Sequence, residues 1–413
     1  MVDTPSTYDV TLTTHAYGGE VLGRLPDGRA VFVPFALPGE TVRIRLIEEK
    51  RGYARAELLE VITPAPGRTI PRCAHFSTCG NCHYQHIDYP AQLEAKTAIL
   101  RDQLERIGRL VDPPVQTIVP CPDPYYYRNN VQFHQTPEGK LGYYKFRSEE
   151  VFAIQECHLP EEPINSVWPQ LDFDPGSGLE RIGLRMGMGD DFLITLESQD
   201  PQIPEYIVED LPVSIAHLGP AGTAVLVGSS YVIMEVLGRQ FRVSAGSFFQ
   251  VNTRMAEALV EHLIANLSLD SGETVLDVYA GVGLFSAFLA PKVERLIGIE
   301  SSPSACDDFV FNLDEHDNVE LYQGTAEEIL PGLEARPQAI VVDPPRAGID
   351  RYALDGILSL NPATIAYVSC DPATLARDAR RLVEGGYQLR QITPFDLFPQ
   401  TFHIESLSFW DKR

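Results

Sequence analysis

The chain has 413 residues, of which 44% are apolar and 22% charged; this excludes a disordered or fibrous protein and leaves room for two or three domains with separate cores. No window approaches the run of about 18 apolar residues that a membrane-spanning helix needs, and the opening MVDTPSTYDV lacks the basic start and apolar stretch of a secretory signal, so a soluble, cytoplasmic protein is expected. The formal net charge of −24 is lopsided: residues 1–150 carry 17 Lys and Arg against 18 Asp and Glu, whereas residues 151–413 carry 16 against 39, so the C-terminal part repels polyanions on average and any phosphate contact falls mainly to the N-terminal third.

Residues 7–62 read as a small OB-like β-barrel. TYDVTLTTH, RAVFVPFA, ETVRIRLIEE and ARAELLEVI are short strand-like runs separated by Gly, Pro and Asp turns. Between the last two, Glu49-Lys50-Arg51-Gly52-Tyr53-Ala54-Arg55 sets cations around an aromatic ring. On such a barrel this is a nucleic-acid contact or a solvated hairpin tip, and the segment alone leaves both open. After a Pro-rich linker come three cysteines, Cys73-x5-Cys79-x2-Cys82, while Cys121, Cys157, Cys306 and Cys370 are scattered. Seven cysteines in a chain too long to need staples point to a thiolate site plus individual roles, not to a disulfide framework. From Ala91 to Leu110, Leu93, Ile99, Leu100, Leu104, Ile107 and Leu110 approximate one helical face. Residues 125–240 are strand-rich, with VQFHQ, KLGYYKF, FLITLES, AVLVG and YVIMEVL as candidate strands. Tyr125-Tyr126-Tyr127-Arg128 and Tyr143-Tyr144-Lys145-Phe146-Arg147 are basic and aromatic, and packing is the expected role of most of these tyrosines.

Beyond residue 250 strands and helices alternate, the pattern of a doubly wound sheet whose ligands sit at the carboxyl ends of its strands. ETVLDVYAG runs into a glycine turn, Gly281-Val282-Gly283, that lacks the GxGxxG of a pyrophosphate cradle. Glu300 closes the next strand 23 positions after Asp277, where a carboxylate can accept both hydroxyl protons of a ribose. A short glycine turn with an acid on the second strand is the pattern of S-adenosylmethionine (SAM) sites, with a generic nucleotide-binding α/β fold as the alternative. Asp343-Pro344-Pro345-Arg346 presents an acid at the sheet edge on a backbone fixed by prolines. Cys370 closes a strand before a helix start, where nearby amides favour a thiolate. His403 and Glu405 alternate at a strand entrance and so share a face, and Ser247-Phe248-Phe249-Gln250-Val251-Asn252 brings an amide and an aromatic ring just before the cofactor motif.

In this order, FFQVN, LDVYAGVGLF, DPPRAG, VSCDPATLARD and HIES resemble the RNA uracil-C5 methyltransferase family along essentially the whole chain. The resemblance implies a TRAM domain over 1–66, a central domain with an iron–sulfur site over 67–240, and a Rossmann-like SAM-dependent catalytic domain over 241–413. It implies Cys73, Cys79, Cys82 and Cys157 as [4Fe–4S] ligands. A triplet with one remote Cys fits a cluster better than zinc, whose sites usually show two CxxC-type pairs; zinc stays the alternative. It also implies Cys370 as nucleophile, Glu405 as proton acceptor supported by His403, and Gln250, Tyr279, Glu300 and Asp343 as cofactor-holding residues, with Asp343 also touching the uracil edge and Phe248 packing near the base. Leu284 stands where some relatives have Asn, so a contact there is expected from backbone. Uracil C5 is a poor nucleophile, which is why the reaction needs a thiolate at C6 and then a base at the C5 proton. The expected partner is RNA with a looped-out uridine, 23S ribosomal RNA first and the T-loop uridine of tRNA second, acted on by a monomer without membrane contact. A non-catalytic RNA-binding iron–sulfur protein is the third reading.

Overall fold

Alternation along the first sixty residues closes a barrel. In the computed structural model, which describes residues 7–189, 191–200 and 212–413, strands β1 (Thr7–Ala16), β2 (Glu20–Arg24), β3 (Ala30–Pro34), β4 (Thr41–Glu49) and β5 (Tyr53–Thr63) close in the order β1-β2-β3-β5-β4. The first six residues of the sequence, read above for a signal, lie outside the described residues. Val10, Leu12, Val31, Val33, Val42, Ile44, Ala54 and Ala56 point inward and form the barrel's own core. Sequence reasoning has four strands here and misses β2, a five-residue run with Gly23 inside it; a Cβ at Gly23 would lie 2.9 Å from Leu12 Cδ2, so the break in the apolar pattern is itself a packing requirement. The barrel's cations are largely spoken for: Arg29 meets Asp27 and Glu49, Arg43 meets Asp9 and Glu60, Arg55 meets Glu20 and Glu48, and Lys50 meets Glu48. Of the 49–55 segment, Arg51 stays exposed at the tip.

Helix α1 (Tyr89–Arg106) starts at Asp88, whose side chain caps Ala91 N–H, with Pro90 in the first turn. Its buried face differs from the expected one. Gln92, Ala95, Lys96, Ile99, Leu100, Gln103 and Leu104 are buried, whereas Ile107 is exposed, because the face is set by packing on the last domain and includes polar groups that find partners there.

The central sheet is built from β6 (Asn130–Gln135), β7 (Leu141–Tyr144), β8 (Val151–Ala153), then, after α2 (Glu162–Val167), β9 (Leu179–Met186), β10 (Phe192–Ser198), β11 (Ser214–Gly219) and β12 (Gly222–Val227), in the order β12-β11-β10-β9-β6-β7-β8. β9, in its middle, escapes the sequence reading because Gly183 and two arginines interrupt its pattern; a Cβ at Gly183 would lie 2.2 Å from Thr195 Oγ1 on the neighbouring strand. Tyr127 and Tyr143 are buried, and Tyr143 stacks on Phe133 at 5.1 Å, as packing residues do. A hairpin of β13 (Tyr231–Val236) and β14 (Arg239–Ser244) follows. A boundary after residue 240 runs through β14, and the hairpin's Val232, Met234, Phe241 and Val243 belong to the core of the last sheet.

That last sheet contains, with its helices, α3 (Thr253–Asn266), β15 (Thr274–Val278), α4 (Leu284–Leu289), β16 (Arg295–Glu300), α5 (Pro303–Asn312), β17 (Val319–Gln323), α6 (Ala326–Ile329), β18 (Ala339–Val342), α7 (Arg351–Leu360), β19 (Thr364–Ser369), α8 (Pro372–Glu384), β20 (Tyr387–Phe395) and β21 (Glu405–Lys412). The order is β17-β16-β15-β18-β19-β21-β20. Its strands are apolar on both faces, Val275, Val341 and Val368 on one side and Leu276, Val342 and Tyr367 on the other, as a sheet covered by two helical layers requires. The parallel expectation holds for β15 to β19 and fails at the edge, where β21 inserts antiparallel between β19 and β20. This reversal matters: Ser369 pairs with Ser406, so the first residue of β21 comes to the carboxyl end of β19. No helix among the described residues is long and apolar enough to cross a membrane.

Candidate active site

A cavity of about 1540 Å³ opens at the carboxyl ends of β15, β16, β18 and β19, and Gln250, Tyr279, Glu300, Asp343, Cys370 and Glu405 all line it, with Phe248, Arg346 and His403. The turn after β15 is tight: Tyr279, Gly281 and Gly283 have φ of 66°, 55° and 89°, a run that only glycines beside one strained tyrosine make cheaply. Glu300 is held by backbone alone, its Oε1 accepting the Ser301 and Ser302 amides at 2.8 and 2.7 Å and its Oε2 the Gly281 amide at 2.9 Å. Three of the carboxylate's four lone-pair sites are thus taken, which leaves one, on Oε2, for a ligand hydroxyl. Beneath, Asp277 Oδ2 accepts the Ser286 hydroxyl at 2.6 Å and ties β15 to α4; burial pushes its carboxyl up to about 6.

The opposite wall is an acid–thiol cluster. Cys370 follows β19 directly and Asp371 caps α8, its Oδ1 accepting the Ala373 and Thr374 amides at 2.9 Å each. Burial, with the charges of Glu405 and Asp343, pushes the Cys370 thiol up to about 12, and only the Arg346 guanidinium pulls the other way. Asp343 is pushed up to about 7 by burial and by Asp277. Glu405 is buried at the start of β21, and burial and Asp343 drive its carboxyl well above the ordinary range. His403 lies before β21, its Nε2 3.4 Å from the Arg346 guanidinium, and burial pushes its ring down to about 2. A neutral imidazole, an acid that holds its proton at neutral pH (Glu405), an acid about half ionised there (Asp343) and a thiol thus share one pocket with a cation beside them. Phe248, by contrast, is 69% exposed at the mouth.

A sequence profile of the tRNA (uracil-5-)-methyltransferases matches residues 219–413, and the TRAM domain profile matches residues 4–59. An uncharacterized RNA methyltransferase of Halalkalibacterium halodurans is 33% identical, with 97% of this chain and 96% of the relative aligned, and one of Aquifex aeolicus is 34% identical over 98% of both. The chain belongs to the RNA uracil-C5 methyltransferase family. In fold it resembles the tRNA (uracil-54, C5)-methyltransferase of Pyrococcus abyssi, solved with S-adenosyl-L-homocysteine (TM-score 0.74, 23% identity, 97% of this chain and 99% of that one). The methyltransferase is therefore an enzyme that modifies RNA, with a TRAM barrel ahead of its catalytic sheet.

The loop that delivers Glu405 is fixed by residues the sequence did not single out. Lys96, fully buried on α1, donates to Asp396 Oδ1 at 2.6 Å and to the Phe398 carbonyl at 3.0 Å. Gln92 exchanges two hydrogen bonds with Gln400, to its side chain at 2.9 Å and from its backbone at 3.1 Å. The Gln400 carbonyl accepts the His83 and Tyr84 amides at 2.9 and 3.0 Å. The available signal was Gln92, Lys96 and Gln103 recurring at helical spacing on one face of α1, which buried polar groups occupy only when they have partners.

Cys73, Cys79, Cys82 and Cys157 line one small cavity of about 20 Å³ at the seam of the central and catalytic domains. Burial pushes the thiols of Cys79 and Cys82 up to about 11 and 12, so thiolates there require a cation. Of the other potential donors in the cavity wall, His75 accepts the Gln155 amide, Glu156 the Ala74 amide, and His158 pairs through Nδ1 with the Tyr126 hydroxyl, while its Nε2 lies 3.6 Å from Glu156 without a hydrogen bond. The four thiols are of the soft ligand type that iron–sulfur clusters take. Among the described residues no three Cys, His, Asp or Glu side chains are drawn together into a metal site. Cys121 and Cys306 are buried elsewhere, Cys121 donating to the Asp123 carbonyl at 3.1 Å and Cys306 to the Glu300 carbonyl at 3.4 Å.

Proposed function

We propose that the methyltransferase moves the methyl group of SAM to C5 of a uridine in RNA through a covalent adduct between Cys370 and C6 of the base. The observation that carries this reading is the shared crevice: the thiol of Cys370 and the carboxyl of Glu405, brought side by side by the antiparallel register of β19 and β21, face the same cavity as Glu300 and Asp343. Glu300, held by three amides, accepts one ribose hydroxyl of the cofactor through its free Oε2 site, while Gln250 and Tyr279 flank its other groups. The Cys370 thiol gives up its proton to solvent and the thiolate, with the Arg346 guanidinium beside it, adds to C6; the α8 amides are taken by Asp371 and do not reach the sulfur. The charge that builds on C5 attacks the sulfonium methyl. Glu405 then removes the C5 proton and the thiolate leaves. The sulfonium charge favours ionised Asp343 and Glu405, which readies the base only once the cofactor is seated; His403 supports Glu405 and Phe248 packs near the base. Reaching both faces of the ring requires an unstacked uridine.

Cys73, Cys79, Cys82 and Cys157 would hold a [4Fe–4S] cluster, which would supply an iron–thiolate cross-link between the 73–82 segment and the loop after β8. The acceptor we propose is 23S ribosomal RNA, on the combination of a TRAM barrel with a four-cysteine set. The tRNA T-loop uridine is the second reading, favoured by the family description and by the Pyrococcus abyssi neighbour. Methyl transfer from labelled SAM to 23S and tRNA transcripts, with mass-spectrometric mapping of the product, separates the two. Cys370→Ala abolishes transfer to either; transfer at the wild-type rate sinks the covalent mechanism.

A further inference from the structure

The β1–β2 turn of the TRAM barrel reaches into the catalytic domain. Gly18 and Gly19, with φ of 102° and 84°, fold the tip so that Tyr17 projects out of the barrel and packs against the core of the catalytic sheet. Its hydroxyl donates to Asp371 Oδ2 at 2.7 Å, the one oxygen of that carboxylate not occupied by the α8 amides. Its ring meets Phe402 edge-on, 5.7 Å between centroids at 86°. Phe402 in turn packs on His403 at 4.4 Å and on His83 at 4.6 Å. There is no room to back away: a Cβ at Gly19 would lie 3.2 Å from His83 Cβ and 3.3 Å from Phe402 Cδ1. A single side chain from the barrel therefore touches both loops that bear the reactive groups, the one after β19 with Cys370 and the one before β21 with Glu405.

We propose that Tyr17 is a positioning residue for methyl transfer: its hydroxyl engages the carboxylate next to the Cys370 sulfur and its ring seats the Phe402–Glu405 segment, so that the barrel tip sets the nucleophile and the base against each other. This rests on the reading of Cys370 as nucleophile. The physical content is electrostatic as well as steric. Asp371, Asp343 and Glu405 all disfavour a thiolate at Cys370, and Arg346 favours it. A phenol donating to Asp371 draws that carboxylate's charge away from the sulfur. Removing the hydroxyl leaves the full charge beside Cys370.

The test is Tyr17→Phe, which keeps the ring on Phe402 and deletes the hydrogen bond. Iodoacetamide labelling of Cys370, read by the mass of its peptide across a pH series without RNA, is expected to shift to higher pH by about half a unit or more. With whichever transcript is methylated, kcat is expected to fall about tenfold while KM for RNA stays within about twofold. In an Asp371→Asn background, which keeps the helix cap but removes the charge, the same substitution is expected to leave the labelling profile unmoved. A wild-type labelling profile and kcat in Tyr17→Phe overturn the proposal. So does a rise in KM for RNA alone, which would make Tyr17 an anchor of the barrel and nothing more. Loss of the underlying reading is seen separately, as methyl transfer that persists in Cys370→Ala.

Discussion

The catalytic crevice and the cysteine cavity are both assembled from distant stretches of chain, and they differ in what they have room for. The crevice spans about 1540 Å³, and its polar groups are fixed by backbone, as Glu300 is by three amides. It is preformed for an organic cofactor and a base. The cysteine cavity is about 20 Å³, too small for either, and four free thiols line it. Asn81 lines both, and His83, one residue past Cys82, donates its amide to the loop that carries Glu405. The cysteine segment is thus a wall of the crevice. Breaking one region should leave a signature distinct from breaking the other.

The largest effect belongs to the crevice. Glu405→Gln keeps the shape and removes the base, so turnover is expected to drop about 10³-fold or more. The enzyme should then accumulate with RNA attached, visible as a band that survives denaturant; a variant that turns over slowly without any such band would reassign the proton acceptor. Next is the joint between the regions. Lys96→Met leaves Asp396 buried without its cation, which costs about 3–5 kcal/mol of stability, read as a lower denaturant midpoint. Replacing both partners by apolar residues is expected to recover most of that loss, while the methylation rate stays low because the bond to the Phe398 carbonyl is gone. Full recovery of rate in the double variant would mean the pair has no part in placing the loop.

On the cysteine side the expected effect is smaller and differently distributed. Cys82→Ala removes a thiol that lines the small cavity and not the crevice, so SAM affinity measured by calorimetry should stay within about twofold, whereas RNA methylation falls about tenfold as the wall shared through Asn81 and His83 loosens. Iron content and visible absorbance of the purified chain report the metal directly. A Cys82→Ala enzyme with weakened SAM binding and intact RNA turnover would invert the comparison.

Much of this was legible in the sequence, for physical reasons. The barrel and β15 to β19 announce themselves through period-two and continuous apolar runs, and Asp277, Glu300, Asp343 and Cys370 all stand at or next to strand ends, where a doubly wound sheet exposes its ligand-binding groups. What stayed hidden depended on partners far away in the chain. β2 and β9 carry glycines that only their neighbours explain. The true face of α1 is polar because Lys96 and Gln92 meet Asp396 and Gln400, about 300 residues later. The antiparallel insertion of β21, which brings Glu405 to Cys370, has no local signal at all. Tyr17 is invisible for the same reason: its partner is 354 positions away.

The finest test separates the crevice's two acids from the rest of the molecule. Asp343, raised to about 7, and Glu405, raised well above the ordinary range, hold protons at pH 6 in the free enzyme. A sulfonium cation binds better to the ionised pair, so SAM affinity is expected to rise with pH between 6 and 8, by about threefold, as the cost of removing a proton from Asp343 disappears. S-adenosylhomocysteine carries the same adenosine and amino acid but a neutral sulfur, and its affinity should stay nearly flat over that range. The sign is fixed by the direction of the shift: acids with depressed values would already be ionised at pH 6 and would give two flat profiles. Asp343→Asn removes most of the slope for SAM and leaves S-adenosylhomocysteine unaffected. Parallel profiles for the two ligands in the wild-type enzyme would place the acids out of reach of the sulfonium, and the crevice would then lose the feature that most sets it apart from the cysteine cavity, carboxyls whose charge answers to what is bound.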